Sequence, residues 1–261
     1  MKLRLLLLSM LFSITGCLSA PARPATPSVQ MTATASPCTQ PGTTLALTVA
    51  AVGEIGVYLP PCYDSSDETL YPVLYLLPGF GGDYHEWLDV GLPSLADDLI
   101  ASGEIPPLIV VTTDDTYEDL QPDLIITTLI PYVQNHYRAS PERSRRAIAG
   151  GSLGGATAYV LAFQHPDLFA SAGVFGNGLI AGQEAQIEAW LQAIPEDLKP
   201  RLFLNSGEQD TYMLQQAQAL IPLLDKYGIQ HAEIFSAGGH DDGYWLSNFP
   251  DYLKWLAEDW E

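Results

Sequence analysis

From Thr43 onward, short apolar runs alternate with longer stretches whose apolar residues recur at helical spacing. The short runs predict strands at Leu45–Val52, Ile55–Leu59, Val73–Leu77, Leu108–Thr112, Ala147–Ala149, Ala172–Phe175, Arg201–Asn205 and Ala232–Phe235. The longer ones predict helices at Leu92–Ala101, Leu120–Tyr137, Leu153–Gln164, Glu184–Ala193, Tyr212–Tyr227 and Tyr244–Glu258. The first two strands are close enough to form an antiparallel hairpin. After them strand and helix take turns, which predicts an α/β fold: a single, mostly parallel, eight-stranded sheet with helices on both faces. In such sheets ligands collect at the carboxyl ends of the strands, and Ser152, Asp210 and His240 all fall just beyond predicted strands.

The chain before Thr43 has a different character. Lys2 and Arg4 precede an apolar run from Leu5 to Ile14, too short to span a bilayer and built like an export signal. Ile14-Thr15-Gly16-Cys17 resembles a bacterial lipobox, so residues 1–16 are expected to be a lipoprotein-type signal peptide and Cys17 the lipidated first residue. Residues 17–42 are dominated by Pro, Ala, Thr and Ser and read as a flexible linker. Residues 43–261 are the expected catalytic domain, held outside the cytoplasm and touching the membrane only through the anchor on Cys17.

Composition narrows the choice of partner. With 47% hydrophobic and 16% charged residues, the chain is that of a globular protein. Its formal charge is −20, and removing Lys2 and Arg4 with the signal makes it −22. That balance repels phosphate backbones, so nucleic acid is not an expected partner. Beyond Cys17, the remaining cysteines are Cys38 and Cys62, an even pair in an oxidising compartment, which predicts one disulfide. A lone Cys pair with no nearby histidine lacks the ligand set of a structural zinc site, so no metal is expected.

The chemistry centres on Ala149-Gly150-Gly151-Ser152-Leu153-Gly154-Gly155, a serine between a strand and a helix in G-x-S-x-G context. The glycines allow a sharp turn and close backbone approach, and the serine hydroxyl then stands clear of the sheet. Serine needs a base, and the base needs a carboxylate to hold its tautomer. Among five histidines, His240 lies in a glycine-rich loop after the last strand and is the expected base. His136 and His165 read as surface or capping residues, and His85 as a rim residue. Asp210, after the strand that separates Ser152 from His240, completes the order Ser, Asp, His; Glu208 is its local rival. Asp114 and Asp115 precede the serine and read as a solvated turn. The oxyanion formed during acyl transfer calls for the N–H of Leu153 and a second donor from the Leu77–Gly82 loop, where Phe80 is the choice.

These pieces resemble the esterase family of α/β hydrolases that includes esterase D, feruloyl esterases, enterochelin-esterase-like proteins and mycolyltransferases. The resemblance spans Ile55 to Leu256. It is carried by VYLPPCYD, YPVLYLLPGFGGDYHEW, PPLIVVTTDD, IAGGSLGGATAYVLAFQHPDLFASAGVFG, FLNSGEQD and GGHDDGYW. It implies an α/β-hydrolase fold, with Ser152, Asp210 and His240 as nucleophile, acid and base, and Phe80 and Leu153 as oxyanion positions. The chain departs from many relatives in having Pro78 where they have histidine, which removes a backbone donor and an imidazole.

The resulting expectation is a serine esterase that cleaves carboxylic esters through an acyl-enzyme without a cofactor. Two alternatives stand beside it: an acyltransferase of mycolyltransferase type, and a noncatalytic lipoprotein that binds carbohydrate or siderophore. Trp87, Tyr244 and Trp245 adjoin the motifs and are candidates for an aromatic rim that contacts substrate. Gly178 to Pro200 is the place for a modest cap.

Overall fold

Strands that are apolar at every position need cover on both sides, and here they receive it. A computed structural model of the protein describes residues 40–64, 68–114 and 121–260. The expected signal segment, Cys17 and Cys38 lie outside these. The strands are β1 (Thr43–Val49), β2 (Gly53–Leu59), β3 (Val73–Leu77), β4 (Ile109–Thr113), β5 (Arg146–Gly151), β6 (Ser171–Phe175), β7 (Arg201–Gly207) and β8 (His231–Ser236). They form one sheet in the order β1-β2-β4-β3-β5-β6-β7-β8. β1 pairs antiparallel with β2, and β2 with β4; every other pair is parallel. In β3, β4, β5 and β6 every residue is buried, whereas edge strand β1 alternates Leu45, Leu47 and Val49 inward with exposed neighbours.

The helices are α1 (Glu86–Asp89), α2 (Leu92–Ala101), α3 (Pro122–Leu124), α4 (Ile130–His136), α5 (Leu153–Gln164), α6 (Glu184–Ala193), α7 (Thr211–Lys226) and α8 (Asp242–Ala257). One face of the sheet packs against residues of α4 to α7, with Tyr75, Ile148, Val174 and Leu204 in its core. The other packs against α1, α2 and α8, with Leu74, Leu76, Phe175 and Phe203. Because β3 and β5 are neighbours while the chain visits β4 between them, the loops leaving β3 and β5 part company at the carboxyl edge and open a crevice there.

Three expectations are corrected. The single helix predicted over 120–137 is interrupted by a π-helical stretch, Ile125–Leu129. Pro131 has no N–H to give the Thr127 carbonyl, and the Thr127 hydroxyl instead donates back to the Asp123 carbonyl at 2.8 Å. The first strand stops at Val49, and Val52 turns its N–H back onto the Val49 carbonyl at 3.0 Å. Within the segment from Gly178 to Pro200, α6 is not a cap over the crevice, because it buries Ile187 and Leu191 in the core beside α5.

Candidate active site

β5 ends in a turn that few residues tolerate. Ser152 has φ 48° and ψ −113°, a strained conformation for a residue with a side chain, and α5 starts at the next position. Three bonds hold it there. Its N–H donates to the Phe175 carbonyl at 2.7 Å, and its carbonyl accepts from Ala156 N at 3.1 Å and Asn177 Nδ2 at 2.9 Å. Glycine is required on either side of the turn: a methyl on Gly150 would lie 2.5 Å from the Gly154 carbonyl carbon, and one on Gly154 would lie 2.4 Å from the Pro78 oxygen. Leu153 opens α5, so its N–H is among those at a helix start that have no intrahelical acceptor, at the positive end of the helix dipole.

The loops after β7 and β8 are stitched together. Glu208 N donates to the Ser236 carbonyl at 2.8 Å, Gln209 N donates to the Gly238 carbonyl at 3.0 Å, and Gly238 N donates to the Gln209 side chain. This brings His240 Nδ1 to 2.5 Å from Asp210 Oδ2. Asp210 also caps α7, its Oδ1 accepting from Met213 N at 3.4 Å, so its carboxylate is held from two sides. Glu208 is exposed, and the carboxylate at the imidazole is Asp210. The His240 ring lies against Gly176, where an added methyl would stand 3.0 Å from Nδ1. Gly176 directly follows Phe175, the residue whose carbonyl anchors Ser152, so His240 and Ser152 share the same edge of the sheet. In the first turn of α8, burial and then the like charge of Asp241 raise the Asp242 carboxyl above the ordinary range, while His240 draws it down.

The loop after β3 closes the other side of the crevice. A methyl on Gly79 would be 3.7 Å from Ser152 Cβ, which puts this loop beside Ser152. Its shape is set by Glu86, whose two carboxylate oxygens accept from Gly79 N at 2.9 and 3.0 Å, while Gly82 N donates to the Gly79 carbonyl at 3.1 Å. From below, Trp87 Nε1 donates to the Leu77 carbonyl at 3.0 Å. No sequence motif marks Glu86 or Asn177; the one available signal is an acid a few residues beyond a glycine run.

The expected aromatic rim is overturned. Trp87, Tyr244 and Trp245 are only 1%, 7% and 3% exposed. Trp87 stacks on Trp245 and packs against Phe175 and Phe249. Tyr244 spends its hydroxyl on the Ser206 carbonyl at 2.9 Å and Ser236 Oγ at 3.0 Å, clamping β7 to β8. The exposed large apolar side chains near the site are Phe80, at 64%, and Tyr212, at 58%. Among the described residues no group of three or more His, Cys, Asp or Glu side chains is arranged to hold a metal ion.

The family model described as "Putative esterase" matches residues 53–256. The chain belongs to this esterase family. Over 145 residues this esterase is 32% identical to an endo-1,4-beta-xylanase/feruloyl esterase of Xylanibacter ruminicola, a match covering 49% of this chain and 20% of that much longer protein. The fold is shared with a solved ferulic acid esterase at TM-score 0.72 and 24% identity, covering 84% of this chain and 98% of the other. It is also shared with the S-formylglutathione hydrolase FrmB of Staphylococcus aureus, at TM-score 0.66 and 22% identity, covering 83% and 96%. Among the described residues no helix is long and apolar enough to cross a membrane.

Proposed function

We propose that this esterase hydrolyses carboxylic esters through a covalent acyl-enzyme, with Ser152 as nucleophile, His240 as general base and Asp210 as the carboxylate that orients it. The carrying observation is the 2.5 Å contact between His240 Nδ1 and Asp210 Oδ2 at the edge where Ser152 occupies its strained turn. With Nδ1 protonated toward Asp210, Nε2 is left as the acceptor of the Ser152 proton. Ser152 Oγ attacks the ester carbonyl carbon, and the oxygen of the tetrahedral intermediate is met by the N–H groups of Leu153 and Phe80. The imidazolium then protonates the leaving alcohol. Water, deprotonated by the same nitrogen, releases the acid and restores the serine.

The same reading places the enzyme outside the cytoplasm, exported by residues 1–16, anchored through Cys17 and extended on the linker 17–42. It joins Cys38 to Cys62, supported by the even count of cysteines beyond Cys17 in an exported chain. The names of the relatives put feruloyl esters beside simple acyl esters as substrates to assay. Ser152→Ala is expected to abolish turnover of p-nitrophenyl acetate and labelling by a fluorophosphonate probe while circular dichroism is unchanged. Retained turnover refutes the assignment.

A further inference from the structure

An apolar groove of about 380 Å³ starts at Leu153, the residue after the nucleophile, and runs down the outer face of α5. Leu153, Ala156, Val160 and Leu161 lie on that face at i, i+3, i+7 and i+8, and Ile180 from the loop after β6 lines the groove as well. Its polar lining is Gln121, Asp123, Thr157, Gln164 and Gln183. A helix on the surface of a sheet ordinarily turns polar side chains outward, yet here Leu153 and Val160 are only partly buried. From Leu153 to Leu161 the helix rises about 12 Å, so the groove is longer than it needs to be for an acetyl group.

The two faces of the sheet decide which half of an ester would enter it. His240 must protonate the leaving alcohol, and it packs against Trp245, on the face that carries α8. α5 belongs to the opposite face. With the alcohol on the imidazole side, the acyl chain departs from the carbonyl carbon toward Leu153. The apolar part of the lining, Leu153, Ala156, Val160, Leu161 and Ile180, is aliphatic, and no aromatic ring is among the residues that line the groove. We infer that the groove along α5 is the acyl site of this esterase and that it takes a flexible aliphatic chain of medium length. This rests on the acyl-enzyme reading and adds the acyl class to it.

The test is a p-nitrophenyl ester series from acetate to octanoate, with kcat/KM measured for the wild type, Val160→Trp and Ile180→Trp. In the wild type kcat/KM is expected to climb by up to roughly fourfold per added methylene, the factor that full burial of a CH2 supplies. Either tryptophan, entering the groove from a different wall, is expected to cut the hexanoate-to-acetate ratio at least about tenfold. For the wild type alone, alkyl fluorophosphonates of rising chain length are expected to label Ser152 progressively faster. A flat series in both assays, with acetate turnover still dependent on Ser152, overturns the groove and leaves the hydrolase reading intact. Absence of Ser152-dependent turnover on every ester overturns both.

Discussion

The two sides of the crevice are held by different means. On one side, the loops after β7 and β8 are joined by backbone hydrogen bonds, by the Tyr244 clamp and by the cap that Asp210 places on α7. On the other, the ties of the Leu77–Gly82 loop include the Glu86 carboxylate, the Trp87 indole N–H and its own Gly82-to-Gly79 backbone bond. The corner that holds Asp210 and His240 is thus fixed redundantly. The Leu77–Gly82 loop, proposed above to supply an oxyanion donor, takes two of its ties from single side chains, so substitutions of Glu86 or Trp87 should reach it.

The largest effect is expected where the corner loses its charge without losing its frame. Asp210→Asn keeps an acceptor for Met213 N but no longer enforces the productive imidazole tautomer, and kcat should fall on the order of 10³- to 10⁴-fold with Tm little changed. Steady-state kinetics beside a thermal melt checks this. Next comes Glu86→Ala, which frees Gly79 N from its carboxylate and loosens the donor loop. A loss of roughly tenfold to hundredfold in kcat with KM nearly constant is expected, largely restored by Glu86→Gln, whose amide oxygen still accepts from Gly79. A change confined to Tm would show that Glu86 serves stability alone.

Trp87→Phe should behave in the opposite sense. It leaves the Leu77 carbonyl unpaired in the core and is expected to cost about 2 kcal/mol of stability, read by urea denaturation, with a smaller effect on kcat than Glu86→Ala. The smallest effect belongs to Asp242. Its carboxyl is raised in the folded state, so ionisation there opposes folding above its ordinary range, and this penalty disappears once the pH falls below that range. Asp242→Asn should therefore stabilise slightly at neutral pH, within about 0.5 kcal/mol, and not at all in acid. Equal melts across pH would remove the charge argument.

Much of the frame was legible because the signals are local and repeated. The helices at Leu92–Ala101, Leu153–Gln164 and Glu184–Ala193 have the bounds that periodicity predicts, and all eight strands occur with ends moved by a few residues. Ser152, Asp210 and His240 each follow a strand whose carboxyl end the alternation places, and of these the structure joins His240 to Asp210 at 2.5 Å. The burial of the aromatic rim was not legible. Trp87 and Trp245 are adjacent to site residues in sequence, but which way a side chain turns depends on its phase within an element, and theirs turns into the core. Glu86 escaped notice for a related reason: it begins a four-residue helix too short to show a period, and its task is to hold a backbone N–H that no motif advertises.

The indole of Trp245 fills the space that a side chain on Gly151 would occupy, with a ring carbon 2.4 Å from that position, and it meets the His240 ring edge to face at 5.1 Å. One rigid plate is therefore shared by the strand that delivers the hydroxyl and the loop that delivers the imidazole. A substitution that emptied this plate would unseat the Gly151 backbone and the His240 ring together, so the packing of α8 bears on both residues at once.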